Sequence, residues 1–217
     1  VACNTLVIGL LREALVAQAR AALARLPEAE RGTSGLINQL GRLLQNMGKL
    51  EEARPLYEEA LQAKRETLGD RHPDTLDSIG SMGHVLMQMG QLDEARLLLE
   101  EDLQASRETL GDGHPDTLTS INNMGMLLQA MGQLEEARPL FEEALQASRE
   151  MLGDRHPDTL ISIHNMAHLL YTQDKLEEAI AYLEEAVQGR REILGDNHPD
   201  TEDSVGGLQM LKGLAAA

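Results

Sequence analysis

Aromatic residues are almost missing from this sequence of 217 residues, which contains no tryptophan, three tyrosines and a single phenylalanine, Phe141. Leucine, alanine and methionine carry the apolar character instead, and these residues favour helices and have little preference for strands. The composition therefore predicts an all-α fold.

Basic residues are also few, because 19 Lys and Arg stand against 36 Asp and Glu and give a formal net charge of −17. A surface this acidic repels phosphate backbones, which argues against nucleic-acid binding. The same charge favours a protein or peptide ligand that carries basic residues.

Only one cysteine, Cys3, is present, so no internal disulfide can form. A chain of this kind suits a reducing compartment, and we expect a cytoplasmic protein. The apolar run near the N-terminus is short and is followed by Arg12 and Glu13, so we expect neither a membrane span nor a signal peptide. Because the sequence does not begin with methionine, we interpret it as a fragment or a trimmed version of a larger protein.

One phrase of nine residues recurs along the chain. LGDRHPDTL begins at residues 68 and 152, LGDGHPDTL at residue 110 and LGDNHPDTE at residue 194, a constant interval of 42 residues. Self-similarity at a fixed period is typical of solenoids, in which stacked repeats bury a shared core. The interval therefore predicts an array of repeats.

Each repeat is predicted to contain two helices. In the second repeat, apolar residues recur at steps of three and four from Leu76 to Met89, and a second such stripe runs from Leu92 to Leu103. Gly90 separates the two stripes. The recurring phrase joins one repeat to the next: its glycine ends a helix, Asp70 or His72 caps the following one, and Pro73 suits the first turn.

Two recurring positions predict how the paired helices pack. A glycine or alanine in the first helix would let the two helices approach closely, which offsets a helix-propensity cost of up to about 1 kcal/mol for glycine. A bulky residue recurs in the second helix, and we expect it to pack against the next repeat. These positions hold Gly41, Gly83, Gly125 and Ala167, and then Tyr57, Leu99, Phe141 and Leu183.

We expect the whole chain to form one continuous solenoid. The expected segments are a partial N-terminal repeat at 1–32, four repeats at 33–74, 75–116, 117–158 and 159–200, and a capping helix at 201–217.

With a small residue at the eighth and twentieth positions and a bulky residue at the twenty-fourth, each repeat resembles a tetratricopeptide repeat. The 42-residue length, the LGDRHPDTL phrase and the GKLEEARPLYEEAL type of second helix are similar to the kinesin light chain and nephrocystin-like subfamily. The resemblance implies a right-handed superhelical solenoid of antiparallel helix pairs. It also implies a non-catalytic module that binds other proteins.

In tetratricopeptide arrays the first helices line a concave groove, so the resemblance also implies which residues face a ligand. Independently, these residues lie off the apolar stripes, so we expect them to be exposed; the alternative is that they are solvated polar residues without a ligand. Asn122 and Asn123 match an asparagine pair that kinesin light chains use on cargo peptides. The candidate peptide-binding residues are Asn38, Arg42, Ser81, His84, Asn122, Asn123, Met126, His164, Asn165, His168 and Tyr171.

No pattern predicts a cofactor or a catalytic residue. His164 and His168 lie one helical turn apart and form a weak candidate for a metal site, but the glutamate of an HExxH motif is replaced by Asn165 and no third ligand is evident. Acidic pairs such as Glu58 and Glu59 recur on the second helices, where we interpret them as a solvated face.

We therefore expect a protein-interaction scaffold that binds a peptide or partner domain in its groove, and no enzyme. The alternative is a structural spacer or self-assembling array with an empty groove. If the groove reading is right, replacing Asn122, Asn123 and Asn165 with alanine should weaken peptide binding and leave melting nearly unchanged.

Overall fold

The computed structural model describes the backbone of residues 2–216. Residues 1 and 217, and the side chains of residues 2–10, 28 and 29, lie outside the described part, and Cys3 is among them. All regular secondary structure in the described part is helical, and none of its helices is long and apolar enough to cross a membrane. The helices are α1 (Ala2–Ala24), α2 (Glu28–Arg31), α3 (Gly35–Asn46), α4 (Leu50–Leu68), α5 (Pro73–Gln88), α6 (Leu92–Leu110), α7 (Pro115–Ala130), α8 (Leu134–Leu152), α9 (Pro157–Thr172), α10 (Leu176–Leu194) and α11 (Pro199–Ala215).

The chain divides into two compact units, residues 1–105 (unit 1) and residues 106–217 (unit 2). In unit 1, α4 packs against α3 and α5, and α1 packs against α3. In unit 2, α8 packs against α7 and α9, and α10 packs against α9 and α11. Each of these second helices therefore contacts the first helix of its own repeat and the first helix of the next.

Histidines, rather than the nearby aspartates, cap four of the first helices. In each case the ring Nδ1 accepts a hydrogen bond from the backbone N–H two residues later, 3.1 to 3.2 Å away, and a proline follows as the first helical residue. Asp70, the other candidate, instead lies 3.4 Å from Arg65 Nε. The capping residues are His72, His114, His156 and His198.

The helices of a pair approach each other most closely at the recurring glycine. A Cβ atom placed on Gly125 would lie 2.7 Å from Cε1 of Phe141, which is fully buried. The same crowding occurs between Gly41 and Tyr57, at 2.9 Å. The close approach predicted from the sequence is therefore present. The bulky side chain was expected to pack on the next repeat, whereas the contact found here is with the glycine of its own pair.

The turn inside each pair needs a residue with positive φ. Gly132 supplies it between α7 and α8 with φ of 76°, which glycine adopts without a steric penalty. In the fourth repeat the same position is Asp174, whose φ is 59°. Asp is one of the few other residues that tolerate this region.

Polar groups are buried where a second helix meets the next first helix. Lys64 Nζ donates to the carbonyl oxygen of Asp74 (3.0 Å) and to Ser78 Oγ (2.7 Å). Arg190 makes the equivalent contacts with Asp200 and Ser204. Burial lowers the pKa of Arg190 from its usual value. These hydrogen bonds satisfy cations that would otherwise be costly to bury.

Gly125→Ala should lower the free energy of unfolding by about 1–2 kcal/mol, because the added methyl group overpacks the ring of Phe141. Gly206→Ala, in α11, is the matched control: beyond the adjoining backbone of its own helix no atom lies within 4 Å of the new Cβ, so helix propensity should raise stability by about 0.5–1 kcal/mol. Chemical unfolding followed by circular dichroism measures both.

A second substitution tests whether crowding against Phe141 causes the loss of stability. Adding Phe141→Leu to Gly125→Ala should restore part of the loss, since the fourth repeat combines Ala167 with Leu183. If Gly125→Ala stabilised the protein as much as Gly206→Ala does, the close approach would not be a constraint.

Candidate functional site

The predicted site residues lie on the first helices of both units. Those of unit 1 are on α3 and α5, and those of unit 2 are on α7 and α9. The two groups are Asn38, Arg42, Ser81 and His84 in unit 1, and Asn122, Asn123, Met126, His164, Asn165, His168 and Tyr171 in unit 2.

In unit 1, the side chain of Gln45 on α3 forms hydrogen bonds with side chains of α4 and α5. Its Nε2 lies 2.8 Å from His84 Nδ1 and donates to Gln88 Oε1 at 3.0 Å, and its Oε1 accepts a 3.0 Å hydrogen bond from the hydroxyl of Tyr57. Burial raises the pKa of Tyr57 to about 12 and lowers the pKa of His84. His84 is therefore neutral at physiological pH and is fixed in place by its neighbours.

Unit 2 contains the same bridge, built from Gln129 of α7 and two residues of α9. Gln129 Nε2 lies 2.7 Å from His168 Nδ1 and donates to Thr172 Oγ1 at 2.9 Å. The Thr172 hydroxyl donates its one hydrogen to the carbonyl oxygen of His168, so it must accept from Gln129. The atom of Gln129 that faces both partners is thus the amide nitrogen, which donates to Thr172.

Asn122 is buried, at 7% exposure, and its amide group is fully occupied. It donates to the carbonyl oxygen of Leu118 (3.1 Å) and to Ser162 Oγ (2.9 Å), and its Oδ1 accepts from Asn165 Nδ2 (3.2 Å). The expectation that Asn122 is exposed is therefore wrong, and the triple alanine replacement that includes Asn122 is no longer expected to leave melting nearly unchanged. Asn123, by contrast, is half-buried and makes no side-chain hydrogen bond within the described residues.

Asn38 occupies the position of Asn122 in unit 1, but its Oδ1 is buried without a partner. The repeat register explains the difference, because Ser81 stands where unit 2 has Asn165. A serine side chain is too short to supply the amide donor that Asn165 provides. Arg42, on the same helix, is exposed.

A pocket of about 380 Å³ opens between α7 and α9 beside the Gln129 bridge. His164 is half-buried in its wall and its Nδ1 has no partner. Burial lowers the pKa of His164, and the neighbouring Arg190 adds to the shift while Asp203 opposes it. The lining residues are Met126, Gln129, Ala130, His164, Asn165, His168 and Thr172.

The pocket thus brings together four of the predicted site residues of unit 2, which are Met126, His164, Asn165 and His168. Tyr171 lies on the same helix, α9, and is 38% exposed, but it does not line the pocket. Thr172 was not among the predicted residues, although the 42-residue register aligns it with Gln88, which plays the same part in unit 1.

In the part of the chain that the structure describes, no third ligand joins His164 and His168. Within the described residues, no three His, Cys, Asp or Glu side chains are grouped as a metal site. His168 Nδ1 is already bonded to Gln129, so the two imidazoles belong to the polar wall of the pocket.

The acidic pairs on the second helices are ion-paired with arginines. Arg149 Nη2 donates to both carboxylate oxygens of Glu185, at 2.7 Å each, and Arg65 makes the same bidentate contact with Glu101. In three repeats the first member of the pair binds an arginine four residues earlier, as Glu142 does with Arg138, whereas Glu184 binds Lys212. These carboxylates link neighbouring second helices along the outer surface.

Comparison with known proteins agrees with this geometry. The sequence profile described as tetratricopeptide repeat matches residues 33–108, 78–150, 116–192 and 158–208, which together span 33–208. The chain belongs to the tetratricopeptide repeat family. A search of curated proteins gives no significant sequence match.

Several solved structures share the fold. BtubC (BKLC) from P. vanneervenii is 23% identical with a TM-score of 0.68, and the match covers 94% of this chain and 82% of that one. A kinesin-light-chain-like protein of Podosopora anserina with nearly identical TPR-like repeats is 28% identical with a TM-score of 0.67, covering 88% and 90% of the two chains. A second structure of that protein has a TM-score of 0.65 at the same identity, covering 88% and 89%.

These matches confirm the predicted fold class and the kinesin-light-chain-like character of the tetratricopeptide repeats. Repeats of this family typically form scaffolds for protein–protein interaction and are generally non-catalytic. The division of the chain into the six predicted segments and the ligand-binding role of individual residues stay predictions.

Asn122→Ala and Asn123→Ala should differ in stability although the two residues are neighbours. Asn122→Ala leaves Asn165 and Ser162 without buried partners and should lower the free energy of unfolding by about 1–3 kcal/mol. Asn123→Ala should change it by less than about 0.5 kcal/mol, since Asn123 has no partner to lose. Thermal and urea unfolding of the two variants measure the difference, and equal stabilities would contradict it.

Proposed function

We propose that this protein is a non-catalytic interaction scaffold, and that the first-helix surface of unit 2 binds an extended segment of a partner protein. The observation that carries the proposal is a pair of half-buried amides beside a pocket. Asn123 has all its hydrogen-bonding groups unused, and Asn165 retains its Oδ1 and one N–H. An amide side chain can donate to and accept from a peptide backbone, which suits an extended ligand.

The rigidity of the surface supports the proposal. Asn165 is held by Asn122, and His168 is held by Gln129, so the side chains that would meet a ligand are fixed before binding. A preorganised surface loses less conformational entropy when a segment binds. Unit 1 offers the corresponding surface at Arg42, Ser81 and His84, where Gln45 holds His84.

Charge is expected to govern how a partner approaches. The net charge of −17 attracts segments with basic residues from a distance, and such steering accelerates association at low salt. The single cysteine suits a reducing compartment, so we propose that the interaction takes place in the cytoplasm.

Short random peptides displayed on phage, selected on the immobilised full chain, test this function. Asn123→Ala and Asn165→Ala should each weaken the binding of selected peptides by about three- to tenfold, the value of one hydrogen bond. Fluorescence anisotropy with a labelled selected peptide measures the dissociation constants.

Gln146→Ala is the control on the outer surface, because Gln146 is exposed on α8 and its side chain bonds to Glu150 of the same helix. The affinity of the Gln146→Ala variant for a selected peptide should equal that of the unmodified protein. Selected peptides that bind all three variants equally well would contradict a role for the first-helix surface. A selection that yields no binder would favour a structural spacer.

A further inference from the structure

We propose that two copies of this chain associate through the outer surface of unit 1, with Leu97 of each copy entering a socket on the other copy. The socket is a second pocket, of about 390 Å³, between the second helices α4 and α6. The contact does not involve the first-helix surface of unit 2, so it is independent of the proposed function.

The floor of the socket is apolar. Leu61 of α4 lies there at 7% exposure, together with Met82 and Leu86 of α5 at 4% and 1%. Leu98 of α6 lines the same pocket. An apolar side chain that enters the socket leaves water and packs against these residues, which is favourable.

Leu97 of α6 projects from the rim of the socket. It is 70% exposed, more than any other large apolar side chain in the described part of the chain. The residues aligned with it in the other repeats are Pro55, Pro139 and Ala181, so the projecting leucine is particular to the second repeat. Association would remove its apolar surface from water.

A projecting leucine beside an apolar socket forms a self-complementary surface. In a two-fold symmetric contact both copies use the same surface, and each contact between two residues occurs twice. Rotation about an axis that passes between Leu97 and the socket places each leucine in the socket of the other copy. A single surface therefore supplies both halves of the contact.

The charges around the socket favour a second copy over a basic partner. The charged residues that line it are Arg54, Glu58, Arg65 and Glu94, with a formal sum of zero in a chain whose net charge is −17. Arg54 Nε lies 2.7 Å from a carboxylate oxygen of Glu58. A cationic ligand would meet guanidinium groups here, whereas a second copy presents the same neutral rim. The contact thus avoids the like-charge juxtaposition that a strongly acidic surface would otherwise impose.

Unit 2 provides an internal comparison. The residues aligned with the floor of the socket are of the same types, at Leu145, Met166 and Leu170. The position of Leu97, however, holds Ala181. Alanine is therefore accepted at this position of a second helix, which makes Leu97→Ala a conservative test of the contact.

Sedimentation equilibrium of the full chain, at concentrations up to about 1 mM, should show a monomer–dimer equilibrium. Leu97→Ala should raise the dissociation constant of the dimer at least about tenfold, because each dimer loses two leucine contacts. Met151→Ala is the matched control: Met151 is 64% exposed on α8, so an apolar side chain is removed from another second helix and the dissociation constant should not change.

Salt separates an apolar contact from an ionic one. The net charge of −17 on each copy opposes association, and raising the salt concentration from about 0.05 M to about 0.5 M screens this repulsion. The dissociation constant should therefore fall as salt is added. A dimer held by ion pairs would weaken instead.

Met82 reports on the socket itself, since it lines the pocket. With the methionine methyl groups labelled with carbon-13, the nuclear magnetic resonance signal of Met82 should shift as the protein concentration rises, while that of Met151 stays in place. In the Leu97→Ala variant the Met82 signal should stay nearly constant over the same concentrations.

Four results would overturn the inference. They are a chain that remains monomeric at every concentration, a dimer that Leu97→Ala leaves unchanged, a dimer that weakens as salt is added, and a Met82 signal that moves only when a selected peptide is added, which would assign the socket to a different occupant. None of these results would alter the test of the first-helix surface, because that test uses peptide affinities of Asn123→Ala and Asn165→Ala.

Discussion

A constant interval of 42 residues places equivalent side chains in equivalent positions in successive repeats. Side chains meet at offsets that recur along the chain: arginine and glutamate at 36 residues on the second helices, and glutamine and histidine at 39 residues on the first. The interval is constant because the loops between repeats have one length. Each such loop has a glycine after the second helix and a histidine that caps the following first helix. A residue's neighbours are therefore set by its position in the repeat.

Exposed side chains can then vary between repeats without changing how the helices pack. The glutamine–histidine bridge is the same in both units, yet Arg42 stands beside it in unit 1 and Met126 in unit 2. The core positions that build the frame, such as Gly125 against Phe141, are fully used in packing. The exposed polar residues of the first helices are not used in that packing, so they can differ between repeats without altering it.

The sequence was sufficient for the features that depend on one repeat alone. Helix pairs, the close approach at the glycine and a cap at either Asp70 or His72 all follow from local pattern, whereas the choice of cap and the bulky residue that faces the glycine needed the structure. Asn122 was misjudged because its burial depends on Ser162 and Asn165, 40 and 43 residues away. The unpartnered Oδ1 of Asn38 also depends on the next repeat, because Ser81 stands there in place of an asparagine.

The central claim is that a partner binds on the first helices and leaves the outer surface untouched. Two methionines of unit 2 test it directly: Met126 lines the pocket and Met151 is exposed on α8. With the methionine methyl groups labelled with carbon-13, nuclear magnetic resonance should show the Met126 signal shifting as a selected peptide is added, while that of Met151 stays in place. A shift of Met151 with an unchanged Met126 would contradict the account.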